Sequence, residues 1–221
     1  MAVLERADDG TGRLLASVAV VSGKAQSRLL AASVADMLEE LGLTVGGLDV
    51  VAVSHGPGSF TGVRVGLSLA KGLCLPPGGP RLVTVSSLEA LAWHAYSGED
   101  VAAVVAMHDA LRGEVYARMV SVSNRGLTTG NDKDEVLTID ALMERWPGRA
   151  LVAGEGALLH REALVARLGD RVVWPRPDRA LPDARTVALI GGMLAAEGKV
   201  ADVLKVGPLY LRDATVKVKQ R

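Results

Sequence analysis

"SHGPGSFTGVRVG" (residues 54–66) places glycines at 56, 58, 62 and 66, Pro57, and the hydroxyls of Ser59 and Thr61 in one short loop that runs into an apolar stretch. A glycine-rich turn at a helix N-terminus suits an anion, because free backbone N–H groups and the helix dipole both favour negative charge there. The spacing decides whether it is such a cradle. Gly56, Gly58 and Gly62 read G-x-G-x-x-x-G, one residue longer than the dinucleotide fingerprint. No lysine follows a suitably spaced glycine, as a Walker A loop needs, and Pro57 stands where a nucleophile elbow needs glycine. The remaining reading of composition alone is a tight strand-to-helix turn.

Working outward, "LDVVAVS" (48–54) has the length and composition of a buried strand feeding this loop, and a helix is expected over about Gly62–Leu75, ended by "PPGGP". Gly62, Gly66 and Ala70 recur at i, i+4 and i+8, flanked by Val63, Val65, Leu69 and Leu73. Glycine inside a helix costs about 1 kcal/mol against alanine, so a small-residue stripe calls for a close neighbour, either internal or on a partner. Arg64 and Lys71 exclude a lipid-facing role for the segment. Before it, Leu30, Val34, Met37, Leu38 and Leu41 trace one face of a helix that Gly42 can close.

The chain has 221 residues, enough for one sizeable domain or two small lobes. Its 25 basic side chains balance 25 acidic ones, which argues against a dedicated nucleic-acid binder while leaving room for a local basic patch. One cysteine, Cys74, cannot form an internal disulfide, and no leader pattern opens the sequence, so a cytoplasmic protein is expected. No apolar run approaches the ~20 residues of a membrane span.

The rest alternates strand and helix periods. "MAVLE" and 12–21 flank the turn signal "DDG" and read as a hairpin. "RLVTV" is a strand, and Ser86 with Glu89 has capping-box spacing. "VAAVVAM" and "EVYARMVSV" form a strand pair about "HDALRG", 124–135 is a polar mobile loop, and "RALVAGEGALLHREALVARLG" reads strand, Gly-rich turn, helix. Asp183 can cap a helix that stops at Gly198. The expected architecture is α/β with an N-terminal lobe over 1–96 and a C-terminal lobe over 97–221, the helix at about 184–197 packing back on the first lobe.

"GPGSFTGVRVGLSLAKGL", then "SSLEALA", "HDALRGEVYARM" and "PLYLRDATVK", resemble in order the TsaB (YeaZ) family, over about residues 2–217. The resemblance implies a two-lobed actin-like, sugar-kinase-like ATPase (ASKHA) fold. It implies a role without catalysis of its own: supporting TsaD, with TsaE as ATPase, in forming N6-threonylcarbamoyladenosine (t6A) at position 37 of ANN-decoding tRNAs. TsaD would be a heterodimer partner, a homodimer would form in its absence, and tRNA would be met through the complex. The dimerisation face implied is the helix after the Gly-Pro loop with the preceding one, here Leu30, Val34, Met37, Gly62, Val63, Val65, Gly66, Leu69, Ala70 and Leu73. Gly56, Pro57, Gly58, Thr61 and Arg64 match the family's loop motif, and Asp109, Arg112, Glu114 and Tyr116 its D-A-x-x-G-E-V-Y motif. A hairpin turn with Gly113 in the tight position accounts for the second motif without a ligand.

No cofactor, metal or catalytic residue is expected. The four histidines, His55, His94, His108 and His160, lack the i, i+4 spacing of a helical metal pair, and His108 and Asp109 point to opposite faces of a strand. "GEG" (154–156) before a helix is a weak anion signal. The alternatives are a free-standing ATPase or sugar kinase, which needs phosphate loops of the right spacing, and a glycopeptidase-like enzyme, which needs the histidine pair. One departure from the family stands out. The apolar first strand, central in the implied order 3-2-1-4-5, is absent before "MAVLERADDG". The expected outcomes are a natural start further upstream, a hairpin shifted to pair directly with 48–54, or a gap filled by another chain.

Overall fold

The computed structural model describes residues 1–6, 12–19, 26–124, 126–127 and 133–212. Strands β1 (Ala2–Arg6) and β2 (Gly12–Ser17) pair antiparallel, with a register shift between Val3 and Leu4. The "DDG" turn between them lies outside the described residues. Helix α1 (Gln26–Glu40) ends where Gly42 takes φ +64°; the Leu43 N–H then reaches the Leu38 carbonyl and the Gly42 N–H that of Glu39, a Schellman closure.

Strand β3 (Val50–Ser54), helix α2 (Phe60–Cys74) and strand β4 (Arg81–Val85) form a βαβ unit, β3 and β4 parallel from Val50↔Arg81 to Ser54↔Val85. Ser59 caps α2 by accepting from the Gly62 N–H at 3.3 Å, so the helix begins two residues before the position expected from its apolar period. Helix α3 (Ser87–Ala95) follows, and the Ser86 hydroxyl accepts from Leu88 and Glu89 N–H.

The second sheet is built on β5 (Ala103–Asp109), paired antiparallel with β6 (Glu114–Ser123). Strand β6 also pairs with β7 (Gly126–Leu127) and β8 (Glu135–Thr138). The loop expected over 124–135 therefore carries short strands at its ends, and 125 and 128–132 lie outside the described residues. After helix α4 (Ile139–Glu144), strand β9 (Ala150–Ala153) pairs parallel with β5. Helices α5 (Glu155–Leu159) and α6 (Arg161–Leu168) precede β10 (Val172–Val173), which pairs parallel with β9. The order is β10-β9-β5-β6-β7.

Strand β5 is apolar on both faces because both are covered. Val104 and Ala106 pack with Leu88, Leu91 and Ala95 of α3, whereas Val105 and Met107 pack with Leu142 and Leu164 from α4 and α6. Thus α3, expected within the first lobe, forms half of the second sheet's core.

Helix α7 (Ala184–Ala196), capped by Asp183, lies across β1, β3 and β4 and touches α3. Ile190 and Ala195 join Val83, Val85 and Ala90 in one cluster. A Cβ on Gly191 would sit 2.2 Å from Ala52 Cβ, so glycine is what lets the helix ride directly on β3. Beneath this helix the hairpin and the βαβ unit remain separate two-stranded sheets. Among the described residues the hairpin does not pair with β3, which overturns the expectation of a direct shifted pairing. Every residue of β3 is only half-buried, where the sequence reading expected a buried strand, because one of its edges has no strand beside it among the described residues.

Candidate functional site

The loop between β3 and α2 turns its carbonyls inward. The Leu209 N–H donates to the His55 carbonyl at 2.8 Å, the Ser87 N–H to that of Gly56 at 2.9 Å, and the Ser87 hydroxyl to that of Pro57. His55 itself reaches the Val85 carbonyl through its backbone N–H and through Nδ1 at 3.0 Å. Gly56 and Pro57, joined by a cis peptide, are buried, and a Cβ on Gly56 would lie 3.3 Å from the Leu209 carbonyl. These carbonyls dock the loop on the chain itself; a phosphate cradle is built from the loop's own N–H donors, which these contacts do not involve.

Helix α2 has three sides. One faces its own sheet: a Cβ on Gly66 would stand 3.8 Å from Val53 Cγ2, and Ala70 (4% exposed) and Cys74 pack with Leu82, Val51 and Val53. The neighbour that accounts for small residues at 66 and 70 is therefore strand β3 and not a second helix. Ala70 and Met37 (5% exposed) are internal, so neither offers a side chain to a partner in this structure. A second side meets α1, which packs on α2. On this pair Leu30, Val34, Val63, Val65, Leu69 and Leu73 remain half-buried, and Thr61 and Gly62 are exposed.

The third side is strapped by residues 201–212. The Ala201 N–H donates to the Leu82 carbonyl at 2.8 Å, and Lys71 Nζ donates to the carbonyls of Val206 at 3.0 Å and Leu204 at 3.4 Å. Arg64 Nε donates to the Tyr210 hydroxyl at 2.7 Å, and the guanidinium lies 3.8 Å from the Phe60 ring centroid. Phe60 and Tyr210 stack at 5.9 Å. Beyond them Arg212 pairs with Glu114 of β6 and donates to the Leu111 carbonyl at 3.5 Å, so the strap ties α2 to the second sheet. The "DATVK" part of the family tail lies outside the described residues.

The second motif is a turn. Asp109 Oδ1 accepts from the Leu111 N–H at 2.8 Å. Gly113 takes φ +79° as the tight position, but Leu111 (φ +63°) and Arg112 (φ +59°) share the left-handed region. Arg112 is exposed, whereas Glu114 is held by Arg212.

At the end of β5, His108 is 6% exposed and its Nδ1 stands 3.5 Å from Glu155 Oε1. Interaction with His108, set against partial burial, holds the Glu155 carboxyl below the usual range. "GEG" is a packing device: a Cβ on Gly154 would sit 2.0 Å from the Met107 carbonyl oxygen, and one on Gly156 2.9 Å from the His108 carbonyl carbon. Helix α5, with five residues, adds little dipole behind it. Among the described residues no three His, Cys, Asp or Glu side chains come together as a metal site, and no helix is long and apolar enough to cross a membrane. Sequence reasoning missed the Phe60–Arg64–Tyr210 stack. Its one available signal was the placement of the only phenylalanine at the first turn of α2.

Residues 19–144 match the family model described as "TsaD: tRNA N6-adenosine threonylcarbamoyltransferase". The chain is 32% identical over 188 residues to the tRNA threonylcarbamoyladenosine biosynthesis protein TsaB of Escherichia coli K12, covering 81% of this chain and 78% of that one. It is 29% identical over 189 residues to the protein of the same name from Bacillus subtilis 168, covering 85% and 80%. Among solved structures, YeaZ from Pseudomonas aeruginosa superposes with a TM-score of 0.73 at 27% identity, over 95% of this chain and 92% of that one. A protein from the same organism, described as similar to peptidase YEAZ, gives 0.73 at 28%, over 91% and 90%. The fold is the actin-like ATPase type of these neighbours, and the chain belongs to the TsaB (YeaZ) family.

Proposed function

We propose that this chain serves t6A biosynthesis as a subunit that supports TsaD and carries no catalysis alone. The observation that carries the reading is its kinship to proteins named for t6A biosynthesis, across four-fifths of the chain. The loop adds support: its glycine spacing fits no phosphate-binding template.

The partner face lies on α1 and the outer side of α2, at Leu30, Val34, Val65, Leu69 and Leu73. These apolar side chains are half-buried on a helix pair of which α2 is already held by β3 on one side and by the strap on another. A helix of TsaD, or in its absence a second copy, completes the layer by ridge-into-groove packing. TsaE joins the larger assembly and tRNA is met through it. Asp109 and Arg112 serve the turn rather than a ligand.

The test is reconstitution with TsaD, TsaE, the threonylcarbamoyl-adenylate synthase, threonine, bicarbonate, ATP and tRNA, with t6A measured by mass spectrometry. Modification should require this chain, and Leu69→Arg should abolish both co-elution with TsaD and modification while the melting curve stays cooperative. Full t6A yield without the chain would end the proposal.

A further inference from the structure

The third side of α2 and the strap border a cavity of about 290 Å³ that is open to solvent, with Arg64, Ser68 and Lys71 on one wall and Val206, Pro208 and Tyr210 on the other. Among the described residues no carboxylate lines it. The nearby Asp202 accepts from the Leu204 and Lys205 N–H groups and pairs with Lys205 Nζ, and Lys71 adds a weaker charge interaction with it. Lys71 spends two donors on carbonyls, leaving its third N–H, and Arg64 spends Nε on Tyr210, leaving both terminal amino groups without partners among the described residues. At the rim, Phe60 is 59% and Tyr210 51% exposed. In a chain with only seven aromatic side chains, two adjacent ones are left in water with a guanidinium against them.

Exposed ring faces beside fixed cations recognise a flat group and an anion together, and that pairing separates the possible ligands. An acidic peptide supplies charge without a plane, and a lipid headgroup likewise. A nucleotide supplies both, its base stacking on aromatic or guanidinium planes and its phosphate meeting the cations. We propose that this cavity takes a nucleotide unit, its phosphate between Arg64 and Lys71 and its base against the Phe60–Tyr210 pair. The unit comes either free or as part of a single-stranded RNA. The site lies on the strapped side of α2, apart from the Gly-Pro loop and from the face that Val65, Leu69 and Leu73 share with α1, and the proposal does not depend on the complex with TsaD.

The test titrates the full chain with a fluorescein-labelled single-stranded RNA, followed by anisotropy, and with AMP, followed by calorimetry, at low and physiological salt. The RNA should bind more weakly as salt rises. Tyr210→Ala and Phe60→Ala should each weaken binding about 5- to 100-fold, and Tyr210→Trp should keep it. Arg64→Gln should lower both affinity and its salt dependence. Saturable AMP binding with the same mutational pattern would identify a free nucleotide as the source, and RNA binding alone a strand. Both ring substitutions are at exposed positions, so melting curves should match the parent. Should Arg64→Gln unfold, the Ala and Trp variants of Tyr210 decide. The proposal fails if neither probe binds, if the ring variants bind as the parent does, or if poly-glutamate competes as well as RNA.

Discussion

Gly66 on α2 faces Val53 on β3, with 3.8 Å between Val53 Cγ2 and the place a Cβ would take. That distance is an ordinary van der Waals contact, so Gly66→Ala fits and gains helix propensity, raising stability by up to about 1 kcal/mol. Gly66→Leu drives a branched side chain into the strand and should cost about 1–3 kcal/mol. Denaturant melts of the two variants check both signs. A Leu variant as stable as the parent, but defective in association, would place Gly66 at a partner interface instead.

Asp183 caps α7, its carboxylate accepting from the Arg185 N–H at 2.7 Å and from Arg185 Nε at 2.8 Å. The side-chain hydrogen bond from Arg185 is the largest cause of a carboxyl pKa below the ordinary value. A depressed folded-state pKa contributes stability above the unfolded pKa of about 4, lost as pH falls through the lower folded value. Asp183→Ala should therefore cost about 1 kcal/mol at neutral pH, with the deficit shrinking below about pH 4. Melting temperatures from pH 7 to 3 measure it. A deficit independent of pH would show that the charge contributes nothing.

The α1 and α7 periods, the caps at Ser86 and Asp183, and the strand at β5 were legible because each is fixed by local chemistry: apolar spacing, a hydroxyl or carboxylate before a helix, β-branched runs. The partner of the Gly66–Ala70 stripe was not, since a small residue records only that something is near. Whether that neighbour is a helix or β3 depends on the crossover, which no local signal carries. The Arg64–Tyr210 contact spans 146 positions, beyond any periodicity. Ala70 and Met37 illustrate the same limit: a family's interface helix also has an inward side, and the motif does not say which of its residues lie there.

Leu111 at φ +63° and Arg112 at φ +59° hold a conformation that costs an L-residue about 1–2 kcal/mol. The Asp109 carboxylate and Arg212 hold the turn in place. Leu111 is 67% exposed, so removing its side chain forfeits little packing. Leu111→Gly should leave the melting temperature unchanged or raise it, whereas Leu111→Val, branched at Cβ, should lower it. Two thermal melts suffice, and a clear loss in the glycine variant would mean that the leucine side chain has a contact of its own.

The edge of β3 away from β4 gives the most direct reading of the first sheet. The Arg81 N–H donates to the Asp49 carbonyl and the His55 N–H to that of Val85, so odd-numbered residues turn their peptide groups toward β4. A strand's peptide groups alternate sides, and Val50, Ala52 and Ser54 therefore present theirs to the other edge, where no strand is paired among the described residues. Unpaired amides on a half-exposed strand exchange through local fluctuation, and ladder amides only on larger opening. Hydrogen exchange followed by NMR on this 221-residue chain should find Val51 and Val53 protected and Val50, Ala52 and Ser54 much faster. Adding a partner that supplies a strand to this edge should slow the second set alone. Equal protection of both sets in the isolated chain would mean that this edge is already paired, and the two-sheet description of the N-terminal half would have to be given up.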